Sequence, residues 1–243
     1  MIALLLLALS AFADDGKLLG PVWTSGWMQA EHGTWQGTGH PDPLPLQSVS
    51  DAAMVERAIG PGAHADRQHA LVSIGRRHAE DAVPVLAAAL SPHEPEVIRE
   101  MAVSGLLEHG GAESLAVLRR SMQHDPSPYV RGLALWASCS WGPQAAEEAV
   151  MRGWEDADPH VRGMAVLAVR ALEPRKDRVL ALLVEASASD ERRVWQEAVV
   201  MLSEVGWPEA GAHLRAMAAE GSEKSARALH GYRAWLRTHP ELR

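Results

Sequence analysis

The chain has 243 residues, with 31 acidic and 23 basic side chains, so its formal net charge is −8 at pH 7. Such an acidic balance disfavours binding along a phosphate backbone, and no nucleic-acid partner is expected. A hydrophobic fraction of 47% can supply a core, whereas one Phe and two Tyr leave few of the aromatic residues that strands favour, which excludes an all-β fold.

Residues 1–13 have the features of a cleavable leader. Residues 2–9 are all Leu, Ala or Ile, and Ala11-Phe12-Ala13 supplies the small residues around a larger one that signal peptidase requires. We therefore predict cleavage after Ala13 and a mature protein that begins near Asp14 and is periplasmic or secreted. The leader is shorter than the ~20 residues that span a bilayer, so we expect no stable membrane insertion after its removal.

Residues 14–50 form a Gly/Pro/Trp-rich segment without helical or alternating periodicity. Its six glycines and four prolines predict an irregular chain. Trp23, Trp27 and Trp35 make it too apolar for a solvated tether. We expect the segment to lie against the folded body, with a partner-binding loop as the alternative.

An internal repeat of about 32 residues runs through the rest of the chain, residues 51–243. Its first ladder consists of arginines, each followed about one helical turn later by an alanine. The arginines are Arg67, Arg99, Arg131 and Arg162, Trp195 takes the place of the arginine in the next repeat, and the alanines include Ala102, Ala134, Ala165 and Ala198. A second ladder of apolar residues, spaced by 32, begins at Met54 and continues with Leu86, Leu118, Val150, Leu182 and Leu214. Because each repeat contributes one residue to each of the two series, we predict two helices per repeat.

Helix-terminus signals agree with this division. Ser127-Pro128 and Asp158-Pro159 each place an N-cap side chain before a proline suited to the first helical position. Pro143, Pro174 and Pro208 stand at similar places before the second helices. Short connections leave no room for a separate domain, so each unit is predicted to be an antiparallel helix pair.

The segment Asp156 to Ala165, with Val161, Arg162 and Ala165, resembles the opening of a HEAT repeat, and Asp125 to Ala134 repeats it closely. The resemblance is to the short HEAT-like units of the phycobilisome-lyase type. It implies an all-α, armadillo-type fold: an α-solenoid of stacked antiparallel helix pairs in a HEAT-like superhelix. We expect a half repeat containing Met54, five helix pairs between about Ala65 and Gly221, and a terminal capping helix around Tyr232 and Trp235.

The ladder residues have structural explanations. An alanine that faces a neighbouring helix allows close approach of two backbones. The repeated arginines can bury their stems between repeats while their guanidinium groups meet helix-terminal carbonyls or acids such as Asp125 and Asp156. The alternative, an anionic ligand held by the row of arginines, is disfavoured because anion clamps rarely repeat with a fold.

No motif identifies a catalytic or metal site. His64, His69 and His78 surround the first repeat, and His32 and His40 lie in the Gly/Pro/Trp-rich segment, but none has a strong ligand spacing. His93-Glu94 resembles the metal-binding His-Glu pair of the HEAT-type hydroxylases but does not recur. Catalytic nucleophile and phosphate-loop motifs are missing, and Cys139 is expected to be a buried, unreactive thiol. We expect no catalytic residues, no bound metal and no cofactor.

The sequence therefore predicts an exported, non-catalytic scaffold or adaptor that binds a protein or peptide on its second-helix, concave face. Candidate partner-binding residues lie opposite the second ladder and are Arg119, Arg120, Glu148, Arg152 and Arg215. The competing hypothesis is an enzyme or enzyme-accessory HEAT protein, lyase-like or metal-dependent, that uses histidines and the Trp-rich segment. A third possibility, a HEAT-like DNA glycosylase, is disfavoured by the net charge.

Overall fold

The computed structural model describes residues 49–61, 64–172 and 175–239. The predicted leader, residues 14–48 of the Gly/Pro/Trp-rich segment, and Pro174 lie outside these residues. Within them the regular structure is helical throughout, with twelve α-helices, two short 3-10 turns and no strand. The predicted all-α fold of stacked helix pairs is confirmed.

The chain divides into two compact units between Ala145 and Ala146. The helices of the N-terminal unit are α1 (Asp51–Ile59), α2 (His64–Arg76), α3 (Ala82–Ala89), α4 (Glu96–His109), α5 (Gly111–His124) and α6 (Pro128–Ser138). The 3-10 turn Cys139–Trp141 follows α6, and the division falls within α7 (Pro143–Trp154). The helices of the C-terminal unit are α8 (Pro159–Ala168), α9 (Lys176–Ala188), α10 (Arg192–Glu204), α11 (Pro208–Ala219) and α12 (Ser225–Thr238). The second 3-10 turn, Val169–Leu172, extends the end of α8.

In chain order the described helices form a single helix, five helix pairs and a last helix. We call α2, α4, α6, α8 and α10 the first helices, and α3, α5, α7, α9 and α11 the second helices. α1 contains Met54, so it corresponds to a second helix, and α12 contains Arg227, so it corresponds to a first helix.

In the N-terminal unit the first helices stack on one another, α2 against α4 and α4 against α6. The other layer is formed by α1, α3 and α5, which contact one another in that order. The core between the layers contains fully buried side chains such as Leu71, Ile98 and Leu106. Their burial contributes about 1.5–3 kcal/mol each relative to exposure.

In the C-terminal unit α8 packs against α10 and α10 packs against α12. α9 contacts α10, and α11 contacts both α10 and α12. Val194, Leu202 and Leu214 are among the buried residues between these helices. In neither unit is any described helix long and apolar enough to cross a membrane.

The predicted helix starts are confirmed where the structure describes them. The Ser127 hydroxyl accepts hydrogen bonds from the backbone N–H groups of Tyr129 and Val130 at the start of α6. The Asp158 carboxylate accepts one from the N–H of His160 at the start of α8. Pro143 and Pro208 are the first residues of α7 and α11. These prolines suit a first position because the N–H that they lack has no partner within a helix.

Candidate functional site

The ladder alanines lie in the interior of each unit. Ala102 and Ala134 are completely buried in the N-terminal unit, and Ala165 and Ala198 are equally inaccessible in the C-terminal unit. Each belongs to a first helix that contacts another first helix of its unit. The alanines therefore occupy positions where a larger side chain would have no space.

A close approach of two helices in the N-terminal unit is made by glycines that the sequence pattern did not single out. A Cβ atom added to Gly75 of α2 would lie 2.0 Å from the carbonyl oxygen of Gly105 in α4. A Cβ at Gly105 would lie 2.5 Å from the carbonyl oxygen of Leu71 and 2.6 Å from Leu86 Cδ2. This contact could have been predicted from the sequence, because a glycine within a helical pattern often marks close packing.

The ladder arginines of the N-terminal unit join successive repeats. Arg67 donates two hydrogen bonds to the Glu94 carboxylate, at 2.9 and 2.8 Å, and one to the carbonyl oxygen of Ala58. Arg99 likewise donates two to Asp125, at 2.9 and 3.1 Å, and one to the carbonyl oxygen of Glu94. The hydrogen bonds from Arg67 lower the pKa of Glu94, which keeps that carboxylate charged. Each guanidinium thus binds a backbone carbonyl that precedes its own helix, at the end of α1 for Arg67 and in the α3–α4 connection for Arg99, and a carboxylate of the following connection.

Two further ladder arginines also donate hydrogen bonds to carbonyl oxygens of the connection that precedes their own helix. Arg131 donates to the carbonyl oxygens of Asp125 and Pro126, at 2.9 and 3.5 Å. In the C-terminal unit Arg162 donates to the carbonyl oxygen of Asp156 and to the Glu191 carboxylate. These contacts support the stacking role over the anion-binding alternative, because the guanidinium groups already face protein oxygens.

The second ladder lies on the buried side of the second helices, with one shift. Leu86, Leu118, Val150 and Leu214 are buried. Leu182 is only half-buried, and Leu183 takes the fully buried position in α9. The reason is helical spacing: Leu183 shares a face with Val179 and Ala186, which lie four and three residues away, whereas Leu182 lies at the edge of that face.

The five predicted partner-binding residues do not form one exposed set. Arg120, Arg152 and Arg215 are exposed on α5, α7 and α11. Arg119 and Glu148 are half-buried and interact with other residues, so the expectation that they face solvent freely is wrong. Arg119 directly follows Leu118 and lies at the edge of the buried face of α5, which explains its partial burial.

Ion pairs connect neighbouring second helices of the C-terminal unit. Glu147 of α7 pairs with Arg175 and with Arg178 of α9, the latter at 2.6 Å. Lys176 of α9 pairs with Glu209 of α11 at 2.9 Å, and the hydrogen bond from Lys176 lowers the pKa of Glu209. The Lys176 ammonium also lies 5.8 Å from the centre of the Trp207 ring, within the range of a cation–π contact. The sequence contained a signal for this row of ion pairs, because the oppositely charged residues stand about one repeat apart.

The histidines that the structure describes do not form a metal-binding group. His64, His69, His78 and His93 are exposed, and the described residues contain no cluster of three or more His, Cys, Asp or Glu side chains arranged to hold an ion. The rings of His78 and His109 lie 5.3 Å apart, centre to centre, at neighbouring corners between helices. In the His93-Glu94 pair the carboxylate is bound by Arg67. His32 and His40 lie outside the described residues.

A serine and a histidine that sequence reasoning missed form a contact between α9 and α11. Ser187 Oγ lies 2.8 Å from His213 Nε2, and burial lowers the pKa of His213, partly opposed by the carboxylate of Glu220. The Ser187 hydroxyl donates its proton to the carbonyl oxygen of Val184 at 2.7 Å, and the residue is only 2% exposed. His213 Nε2 therefore donates to Ser187, the reverse of the direction that activates a nucleophile.

Cys139 is buried, as predicted, at the end of α6. Its thiol lies 3.4 Å from the carbonyl oxygen of Leu135. Burial raises the pKa of the Cys139 thiol to about 12, so the reactive thiolate is not populated at neutral pH.

The repeat architecture is shared with known proteins. The family model described as HEAT repeats matches residues 54–138 and 122–194, which together make up more than half of the chain. Among solved structures, the chain is similar to the designed armadillo repeat protein YIII(Dq)4CqI, with 14% identity, a TM-score of 0.39, and coverage of 76% of this chain and 100% of that chain. It is also similar to the complex of CpcE and CpcF of phycocyanin lyase from Nostoc sp. PCC7120, with 18% identity, a TM-score of 0.41, and coverage of 92% and 97% respectively.

A comparison with curated proteins finds no match. The repeats carrying Arg131 and Arg162, which supplied the resemblance in the sequence, both lie within the residues that the family model covers. The chain belongs to the HEAT-repeat family.

Proposed function

We propose that this protein is a non-catalytic scaffold or adaptor that binds a protein or peptide partner on the surface of its second helices. The observation that carries the proposal is the division of these helices into two sides. One side buries the second ladder, and the other exposes charged residues of both signs together with small apolar ones. Solenoid repeats commonly use such a continuous surface for recognition.

In the N-terminal unit the exposed side is represented by α5. Arg120 and Glu113 are exposed there beside Ala116, whereas Leu118 faces the core. A surface that mixes both charges with small side chains suits a folded or peptide partner, since it offers polar contacts without a large desolvated charge of one sign.

In the C-terminal unit the exposed side contains Arg152 and Arg215 beside the row of ion pairs from Glu147 to Glu209. Exposed pairs of this kind contribute only about 0–1 kcal/mol to stability. Their arrangement therefore supports a role in recognition, where complementary charge affects partner choice and association rate more than folding.

The test is capture of partners by purified protein from the cells that produce it, with quantitative identification of the proteins retained. The variant Arg152→Glu/Arg215→Glu should lose the partner that wild type retains, and Arg120→Glu should weaken capture if the N-terminal unit contributes. Arg76→Glu/Arg192→Glu is the matched control, because it makes the same change of charge at exposed positions of the first helices α2 and α10.

Thermal midpoints should be nearly equal in all of these variants, because the substituted arginines are exposed. Equal retention of the partner by the second-helix variant and by wild type would exclude this surface. Loss in the control variant as well would show that retention depends only on net charge.

We also propose that the protein is exported, on the basis of the apolar run that ends at Ala11-Phe12-Ala13. N-terminal sequencing of protein from its native source should give a chain that begins at or near Asp14. A native protein that retains Met1 inside the cytoplasm would contradict export and would move the search for partners to that compartment.

A further inference from the structure

The last helix, α12, has a charge unlike that of the rest of the protein. It contains Arg227, Arg233 and Arg237, together with His230, and no acidic residue. The remainder of the chain carries 31 acidic but only 20 basic side chains. The basic residues of α12 are therefore a local exception in an acidic protein, and they act on a ligand that comes within about a Debye length, ~8 Å at physiological salt.

His230, Arg233 and Arg237 lie on the side of α12 that faces away from the C-terminal unit, and the half-buried Arg227 lies at the flank of that side. The inward side contains Gly231, where a Cβ would lie 3.2 Å from Val199 Cγ1, and Trp235, whose ring packs against Gly211. On the other side Arg233 and Arg237 are exposed, as are Ala226 and His230. Leu229, at its edge, is 38% exposed and is one of only two large exposed hydrophobic residues in the described part of the chain. We call Arg227, Leu229, His230, Arg233 and Arg237 the terminal basic face.

Arg227 stands at the ladder position of this last helix. In both units ladder arginines donate to a carboxylate from the following connection: Arg67 to Glu94, Arg99 to Asp125, and Arg162 to Glu191. Arg227 has no such carboxylate among residues 49–61, 64–172 and 175–239. Within the same ranges Arg233 and Arg237 also have no ion-pair or hydrogen-bond partner.

The helix stack indicates what shape of ligand fits this face. α10 is packed between α8 and α12, so a first helix in this unit accepts a helix on each of two sides. The side of α12 that contains Gly231 and Trp235 packs against α10 and α11. The terminal basic face lies on the other side, where another helix could pack against α12. Residues three and four apart on a helix are neighbours, so Leu229, Arg233 and Arg237 form a continuous line.

We propose that the terminal basic face binds an acidic amphipathic helix of a protein partner, which extends the stack of first helices beyond α12. Carboxylates of that helix pair with Arg227, Arg233 and Arg237, in the manner of Glu94 and Asp125 within the protein, and Leu229 provides the apolar contact. A lipid surface is the weaker fit, because a helix that lies in a membrane interface needs a broad apolar face, and the apolar face of α12 is already buried. This surface is separate from the second-helix surface, so it adds to the proposed function.

The test uses a fluorescein-labelled synthetic helical peptide of about 20 residues, with a line of leucines flanked by glutamates at helical spacing, and measures anisotropy at low salt. Wild type should bind it, and Arg233→Glu/Arg237→Glu should weaken binding by about tenfold or more through lost charge complementarity. Arg227→Gln and Leu229→Asn should each weaken it less. The same peptide with glutamine in place of glutamate should bind wild type more weakly.

Two control variants show whether peptide binding is specific to the terminal basic face. Arg76→Glu/Arg192→Glu makes the same charge change elsewhere and should bind the peptide like wild type. Arg152→Glu/Arg215→Glu, which tests the second-helix surface, should do the same, so the two proposals can fail independently. Circular dichroism should show unchanged thermal midpoints, since the substituted arginines are exposed.

Three results would overturn the proposal. Failure of wild type to bind the peptide would leave the arginines as the polar outer surface of a capping helix. Binding to vesicles with anionic phosphatidylglycerol, lost in Arg233→Glu/Arg237→Glu while peptide binding persists, would assign the face to lipid headgroups. Self-association of wild type that the same variant abolishes would assign it to a second copy of the chain.

Discussion

Gly105 lies where α4 crosses α2, and its lack of a side chain sets the distance between the two backbones. A methyl group there meets the carbonyl oxygen of Leu71 and the Leu86 side chain, both nearer than any real Cβ contact. Gly105→Ala should therefore destabilise the protein by about 1–3 kcal/mol, the usual effect of overpacking a core. Urea unfolding measures the change, and hydrogen exchange should show faster opening of α2 and α4.

Gly163 of α8 provides the control for this substitution. A Cβ there would lie 3.1 Å from Cγ of Arg193, the nearest heavy atom, so side-chain atoms of Arg193 and no backbone atoms would have to shift. Because alanine is also favoured over glycine in a helix by about 1 kcal/mol, Gly163→Ala should be nearly neutral or stabilising. Equal destabilisation by both substitutions would contradict the assignment of Gly105 to the crossing point.

The partly buried carboxyl of Glu204, at the end of α10, makes the stability of the protein depend on pH. Burial raises the pKa of its carboxyl, Glu197 raises it further, and Arg170, 3.6 Å away, lowers it in part. A raised folded-state pKa favours the protonated form, so this residue's contribution to stability is complete below the usual carboxyl range and is lost as the pH rises through the folded pKa.

The expected consequence is that Glu204→Gln stabilises the protein at pH 7 to 8, since glutamine resembles the neutral carboxyl. The gain should shrink as the pH falls towards about 4, where an ordinary glutamate is itself becoming protonated. Thermal midpoints across this pH range measure the difference. A gain that stays constant with pH would show that the carboxylate charge of Glu204 is not the cause.

Residue-scale packing was only partly predictable from the sequence. The ladder alanines recur at the repeat spacing, so their positions could be selected without knowing any distance. Gly75 and Gly105 belong to one crossing and do not recur, so their role depends on where two helix axes meet. The contact between Ser187 and His213 was missed for the same reason, because it depends on the rotation of α9 relative to α11.

At the scale of helices, the arginine ladder predicts that removal of the paired carboxylate lowers stability by different amounts at two equivalent positions. The side chains of Arg99 and Asp125 are 6% and 2% exposed, so removal of the carboxylate leaves a buried, uncompensated guanidinium. Asp125→Ala should destabilise by about 3–5 kcal/mol, the usual cost of breaking a buried pair. Glu191→Ala, which removes a carboxylate that is 39% exposed, should cost about 1 kcal/mol or less.

Urea unfolding of both variants checks the comparison. A cost for Asp125→Ala as small as that for Glu191→Ala would mean that water reaches Arg99 after the substitution, and the ladder would then contribute little to stacking. The double variant Arg99→Met/Asp125→Ala should recover part of the loss, because it removes both charges from the buried position.

Helix starts could be predicted more reliably than helix ends. Caps and prolines are local signals, so Ser127-Pro128 and Asp158-Pro159 identified the starts of α6 and α8. The 3-10 turns after both helices leave no comparable pattern, because they result from how the chain turns towards the next helix. The buried position in α9 was predicted one residue too early, at Leu182 instead of Leu183, since a 32-residue spacing does not determine the rotation of each helix.

At the scale of the whole molecule, two features support the proposed binding of a protein or peptide partner. The net charge of −8 disfavours nucleic acid, and the exposed charges of both signs on the second helices suit a protein or peptide surface. The repeat period could establish the fold from sequence alone, because every repeat provides another copy of the signal. The exposed residues of the proposed binding surface could not be predicted as well, since exposure depends on the rotation of each helix, and Arg119 and Glu148 proved to be half-buried.

Site-specific photo-crosslinking tests the central claim most directly. A photoreactive amino acid is placed at Ala116, Ala181 or Ala216, which are exposed on α5, α9 and α11, or at Ala65, which is exposed on the first helix α2. After irradiation in the native cells, second-helix positions should give a discrete adduct with a captured protein, and Ala65 should give none. Adducts from Ala65 without any from the three second-helix positions would contradict binding on the second-helix surface.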